Sequence, residues 1–310
     1  MGTFLIAFNT VLPLFLIILA GILFSRTKVA SAYWIDVLNK YALWIGFPAL
    51  VINSLSRLEI IDGPVTQLII FNSLFIVCCI LLAYPFSAIL KFSNHRRRTL
   101  FLIFAFGNVA YLGIPVLQNV YGDDILPVAA ILSAVYVFWL LTLGLILVEA
   151  HGEGDFHPTK LVFRLIKNPL LISVFIGIIL VVFQIKLPAP IEKTISMFAG
   201  SVTAVVLFSL GIFLGYQKKG TLKEWAISFA FVIVTMIFFP AIFWIFLRNS
   251  GMHASFIQAS ILDAAMPLGL TPYALAQQYN LDTSFTARLV VLATLMSIII
   301  LPLWIVVLGY

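Results

Sequence analysis

Asp263 is the one acidic residue well inside a long apolar run of this sequence, ten residues after His253. A carboxylate at the centre of a bilayer costs at least about 2.5 kcal/mol on insertion scales, so it marks a polar cavity and a task. Two tasks are open to it: carrying a proton, or holding a cation such as Na⁺. The plainer alternative is a structural pairing with a buried donor such as Asn108 or Arg288. One helical turn after Asp263 the chain reads PLGLTP, with Pro267, Gly269, Thr271 and Pro272. GNVAYLGIP repeats the theme earlier with Gly107, Asn108, Gly113 and Pro115. Proline removes a backbone donor and crowds the preceding turn, and glycine weakens a helix interior. Both runs should therefore unwind near mid-membrane, which is tolerated only in a protein-lined or wet setting. The half-helix N-termini left there would present free N–H groups and positive dipole ends to an anion. Mere kinks would explain each run separately but not the pairing of the two. The amide of Asn108 can donate to a carboxylate and accept from a cation; an interhelical hydrogen bond is the alternative.

Elsewhere the chemistry is thin. Cys78 and Cys79 are adjacent and suggest neither a disulfide nor a thiolate metal site. His95, His151, His157 and His253 have no partner at ligand spacing, and no nucleotide-binding, zinc-protease or nucleophile-elbow pattern occurs. The stretch HRRR, residues 95–98, reads as a topology anchor on anionic lipid. Lys40 and Arg288, near the ends of their runs, read as snorkelling side chains. Asn53, Asn72, Tyr111, Gln118, Asn119, Ser133, Gln258, Gln277 and Thr294 line a pathway or, in most cases, bond helix to helix.

Positioning these groups falls to membrane helices. Of 310 residues 63% are apolar and 10% charged, against roughly 45–50% and 25% in soluble domains. That excludes a soluble enzyme, a disordered chain and a free-standing nucleic-acid binder. Apolar runs at 5–24, 34–55, 65–90, 99–120, 125–149, 168–187, 191–216, 225–248, 254–278 and 284–309 each approach the length of a span. The first reads as a retained helix rather than a signal peptide. The longest break, 150–167, contains HGEGDFHPTK and is expected as a cytoplasmic linker between two halves, 1–149 and 168–310. Of the 18 Lys and Arg residues, only Arg57, Lys186, Lys193 and Arg248 fall on one side. The other side is cytoplasmic by the positive-inside rule, which puts both termini outside. Pro85 and Pro240, Pro115 and Pro272, and Tyr121 and Tyr279 recur in equivalent order in the two halves. A copy with an odd number of spans re-enters from the opposite face, so the repeat is inverted, as in alternating-access carriers.

The segments VLPLFLIILAGILFSR, LNKYALWIGFPALVINSL, GNVAYLGIPVLQNVYG and DAAMPLGLTPYALAQQYNLD resemble the auxin efflux carrier family, the bacterial relatives of the plant PIN auxin transporters. The resemblance runs along the whole chain and is most specific in the last two segments. It implies an all-α polytopic fold of ten helices in two inverted five-helix repeats, with broken crossover helices 4 and 9, similar to bile-acid symporters and sodium/proton antiporters. It further implies scaffold helices 1, 2, 6 and 7, a transport bundle of helices 3–5 and 8–10, elevator-type motion and a homodimer joined through the scaffold. The positions matching the family's substrate site are Asn108, Pro115, Leu270, Thr271 and Pro272, with Tyr111 as a further candidate and Asp263 as the coupling residue. Plant members tend to carry Gln in place of Asp263, which points to ion coupling here and away from auxin itself. They also have a much longer central loop, so phosphorylation control through that loop is not expected.

The expected protein is a secondary transporter of a small organic anion in a bacterial cytoplasmic membrane, coupled to H⁺ or Na⁺ at Asp263. A malonate- or malate-type carboxylate or an auxin-like acid is the cargo. No cofactor, no metal other than Na⁺ and no nucleic acid is expected. A cation/proton antiporter is the nearest rival, weakened by the lack of a second acid. An integral membrane enzyme acting on lipids is the other, and it lacks a nucleophile, a metal cluster and a carboxylate pair.

Overall fold

The computed structural model describes residues 2–56, 64–105, 107–152, 159, 163, 166–216 and 222–309. Arg57, His157, Lys160, Arg164, Lys218, Lys219 and most of the expected linker 150–167 lie outside the described residues. Long apolar stretches with few charges can satisfy their backbone only as helix, and helix dominates what is described. The chain begins with α1, Gly2–Phe24. Next is α2, Tyr33–Tyr41, which continues through a π turn Ala42–Gly46 into Phe47–Leu55. Then come α3, Pro64–Ile89, and α4, in two pieces: α4a, Asn94–Ala105, and α4b, a π turn Val109–Gly113 running into Ile114–Tyr121. The first half closes with α5, Leu126–Trp139, Leu140–Gly144 and Leu145–Ala150.

The second half opens with α6, Pro169–Val182, and α7, Ala189–Gly215. In α8, Leu222–Ile233 passes through a π turn Val234–Phe238 into Phe239–Leu247. Again one helix is split, into α9a, Ala254–Ala264, and α9b, Leu270–Gln278, before α10, Thr283–Val307. Seven of these helices, α1, α2, α3, α5, α7, α8 and α10, are long and apolar enough to cross a membrane. α6 is apolar but shorter, and α4 and α9 are cut by their interruptions.

Of the prolines expected at the breaks, Pro267 lies in one, between α9a and α9b, and Pro115 does not. Pro48, Pro115 and Pro240 each follow a π turn by two residues. A proline ring collides with the carbonyl four residues back; the wider π turn shifts that register and lets the helix run on. Pro115 is thus inside α4b, and among the described residues of α4 only Gly107 and Asn108 lie outside helix. Pro85, matched in sequence with Pro240, sits in uninterrupted α-helix.

Two groups of helices pack together. α7 lies on α1 and α2, and α6 lies on the second part of α2. Gly21 and Gly211 bring α1 and α7 into backbone contact: a Cβ on Gly21 would collide with the Phe208 carbonyl, and one on Gly211 with that of Ile18. Small residues at such contacts are how membrane helices gain packing without a hydrophobic drive. In the other group α3 packs on α4a and α5, α8 on α10 and α9a, and α9b on α10, while α1 on α10 and α2 on α5 join the two groups.

The basic stretch after Asn94 also departs from expectation. Arg96 donates from Nε and Nη2 to one oxygen of Asp282, at 3.2 and 3.1 Å, and lies over the rings of Phe92 and Phe285. Arg98 donates to the carbonyl of Val148 at 2.9 Å. All three arginines have protein partners: Arg97 donates to Oδ1 of Asn94 within α4a at 2.7 Å, and Arg96 and Arg98 tie α4a to the start of α10 and the end of α5.

Candidate functional site at the two helix breaks

The interruptions of α4 and α9 meet. Asn108 donates its backbone N–H to the carbonyl of Pro267 at 2.6 Å, and Gly107 and Leu268 form an isolated antiparallel bridge. This satisfies backbone groups that the lost helical turns release, as a break at membrane depth requires. Asn108 then starts α4b: its carbonyl accepts from the N–H groups of Leu112 and Gly113 at 3.0 and 2.8 Å. Glycine is needed where the breaks touch. A Cβ on Gly107 would approach the Met266 carbonyl to 3.0 Å, and one on Gly269 would come within 3.2 Å of the Asn108 Cα. Pro272 lies buried in the opening turn of α9b, where a missing N–H breaks no helical bond, and Pro115 lies buried further into α4b, just after its π turn.

Neither half-helix has a side-chain cap, and both open on the same space. Ala110 and Tyr111 from the first turn of α4b, and Leu270 and Thr271 from the first turn of α9b, line a cavity of about 320 Å³. Across it stand Asn39, Lys40 and Phe47 of α2. The Phe47 and Tyr111 rings meet edge to face, with centroids 5.0 Å apart. Lys40 is held by Asp36 at 2.8 Å, and Asn39 accepts a hydrogen bond from Ser209.

Asn108 and Asp263 sit behind this cavity, each 1% exposed. Both carboxylate oxygens of Asp263 and both polar atoms of the Asn108 side chain are buried without a hydrogen-bond partner. Asp263 presses against the π turn of α4b: a Cβ on Gly113 would stand 2.5 Å from its Oδ1. Tyr136 of α5 is within electrostatic reach of the same carboxyl. Beyond the bridged backbone, Gly107, Tyr136, Ala264, Met266 and Leu268 border a void of about 40 Å³, room for a water or a bare cation.

The expected site residues thus divide. Tyr111, Leu270 and Thr271 share the cavity wall; Gly107, Asn108, Pro267 and Gly269 form the junction; Asp263 and Gly113 pack together behind it; Pro115 and Pro272 shape the half-helices. Several polar residues prove to be interhelical bonds: Asn72 to Ser260, Asn119 to the Thr10 carbonyl, Ser133 to the Val109 carbonyl and Gln258 to the Leu308 carbonyl. Asn39, Lys40 and Phe47 were not among the candidates, although Asp36 and Lys40 stand four apart on one face, a spacing that pairs on a helix.

A bundle of apolar helices with two interrupted members opening on one internal cavity defines a polytopic membrane protein built for passage of a solute. The model of the membrane transport protein family covers residues 6–305, and the chain belongs to that family, which includes the auxin efflux carriers. An uncharacterised transporter of Methanocaldococcus jannaschii is 23% identical over 307 residues, 97% of this chain and 98% of the relative. The uncharacterised transporter YfdV of Escherichia coli is 24% identical over 96% of each chain. Auxin efflux carrier component 4 of Arabidopsis thaliana is 27% identical over 150 residues, which is 47% of this chain but 24% of the plant protein.

Proposed function

We propose that this chain is a secondary carrier of a small organic anion, binding its cargo where α4 and α9 meet. The observation that carries the reading is that the uncapped first turns of α4b and α9b line one cavity. Two positive dipole ends and their free N–H groups converge there, an arrangement that favours a carboxylate. The hydroxyls of Tyr111 and Thr271 add donors, and Phe47 adds an apolar wall. A malonate- or malate-type carboxylate fits this lining, and so does an auxin-like aromatic acid.

Asp263 is the coupling residue in this reading, taking up H⁺ or Na⁺ beside Asn108. Its unpartnered oxygens support that role, because a buried carboxylate without a donor gains most from a proton or a cation. The carrier consists of ten spans in two inverted repeats, 1–149 and 168–310, joined by a cytoplasmic linker at 150–167. α1, α2, α6 and α7 form the scaffold through which two copies pair, and α3–α5 with α8–α10 form the bundle that moves as an elevator; the close packing of α7 on α1 and α2, and of α6 on α2, supports the scaffold half of this division. The protein resides in a bacterial cytoplasmic membrane with both termini outside. Lys40 lines this cavity and Arg288 the larger one beside it; both belong to the side read as cytoplasmic, so in this reading the cavities open inward.

Thr271→Cys in a Cys78→Ser, Cys79→Ser background tests the placement. In inverted vesicles a membrane-impermeant thiosulfonate labels Cys at this position, and saturating malonate slows the labelling. Labelling at the same rate with and without malonate, or none at all, removes the cavity as the binding site.

A further inference from the structure

A second, larger cavity of about 640 Å³ adjoins the first and shares Asp36, Asn39, Leu270 and Ala274 with it. Its remaining wall brings together Trp225 of α8, Tyr273 and Gln277 of α9b, and Ser284 and Arg288 of α10. Arg288 is the one basic residue among those lining it. Its side chain is 11% exposed and touches the half-exposed Glu224 through Nη2 at 3.4 Å. The Nε–H beside Nη2, on the same edge of the guanidinium, is buried with no acceptor. The acid that lines the same cavity, Asp36, already holds Lys40.

A guanidinium presents a fork of donors that matches a carboxylate in two-point fashion. Nη2 is 3.4 Å from the half-exposed Glu224 and the Nε–H next to it is unused, so by turning that edge to an anion in the cavity Arg288 exchanges one long contact for a two-point one. We propose that Arg288 forms an anion-docking site in this vestibule, where a carboxylate is held before it passes Leu270 to the half-helix N-termini. Ser284 and Gln277 offer further donors. The inference rests on the carrier reading for its cargo, yet it centres on a residue outside the inner cavity, and it supplies a guanidinium clamp where the one cation among the inner cavity's lining residues, Lys40, is held by Asp36.

The test is malonate uptake by proteoliposomes at varied ionic strength, paired with a binding measurement that needs no turnover. Arg288→Gln raises KM about tenfold, the effect of one charge-assisted contact, with kcat little changed. It also flattens the rise of KM with salt that the wild type shows, since screening acts on the charge that has been removed. Arg288→Lys keeps the salt response, and Glu224→Gln lowers KM. Binding is read from iodide quenching of Trp225, with Trp225→Phe subtracting the other tryptophans. Malonate relieves the quenching in the wild type, and Arg288→Gln weakens both effects. If the wild type moves no malonate but the quenching depends on Arg288, the docking site stands and the carrier reading falls. If Arg288→Gln leaves quenching, KM and salt dependence unchanged, the docking site falls whatever the protein transports.

Discussion

Asp263→Asn removes the response of uptake to an imposed pH or Na⁺ gradient and lowers gradient-driven accumulation by about tenfold or more, the scale of one lost interaction with a charged group. The substitution is close to isosteric. It changes the ability to bind a proton or cation and leaves the packing against Gly113 in place. Exchange of cargo without a gradient should continue, because Asp263 does not line the cavity at the half-helix ends. An Asp263→Asn protein that accumulates substrate at the original rate and still follows the gradient removes Asp263 from coupling. The folded state should survive, since neither carboxylate oxygen has a hydrogen-bond partner to lose.

Asn108→Ala acts on the other side of the junction. The backbone of residue 108 ties the breaks together through Pro267 and starts α4b through Leu112 and Gly113, and alanine keeps those bonds. What it deletes is an amide whose two polar atoms are buried and unpartnered beside Gly269. Such an amide is expensive to bury for packing alone, which is the physical case for its serving a ligand. The amide does not line the cavity in this state, so it reaches the anion only once the two breaks part around the cargo; KM for the anion should then rise about 10- to 100-fold, as for a lost hydrogen bond to a charged group, with little change in the melting temperature in detergent. An unchanged KM would assign the amide to packing.

Much of this was legible in the sequence because membrane helices obey few rules. Length and apolarity marked the helices, and the paired Gly and Pro clusters marked α4 and α9 as the broken ones. The position of the break in α4 was less legible. Pro115 looks like a breaker by propensity, but the π turn before it relieves the clash, and π turns are set by packing rather than by a local signal. Arg96 and Arg98 looked lipid-facing because the positive-inside rule describes where basic residues collect, not what they touch. Asp282 and the Val148 carbonyl come from segments distant in sequence. Lys40 and Arg288 were read as snorkelling for the same reason: near a helix end, only tertiary packing decides whether a long cation reaches headgroups or a cavity. Thr271 is identified through the family resemblance and Tyr111 as a pathway residue; both lie on the cavity wall because an interrupted helix exposes its first turn.

Counterflow in proteoliposomes tests the carrier reading most directly. Vesicles loaded with unlabelled malonate and diluted into labelled malonate should show transient accumulation of label, which only a site that alternates between the two faces produces. Asn108→Ala should blunt that transient at the same malonate concentration. Absence of counterflow with malonate, malate and an aromatic monocarboxylate alike, together with Na⁺-dependent proton flux in vesicles free of any organic anion, would contradict it.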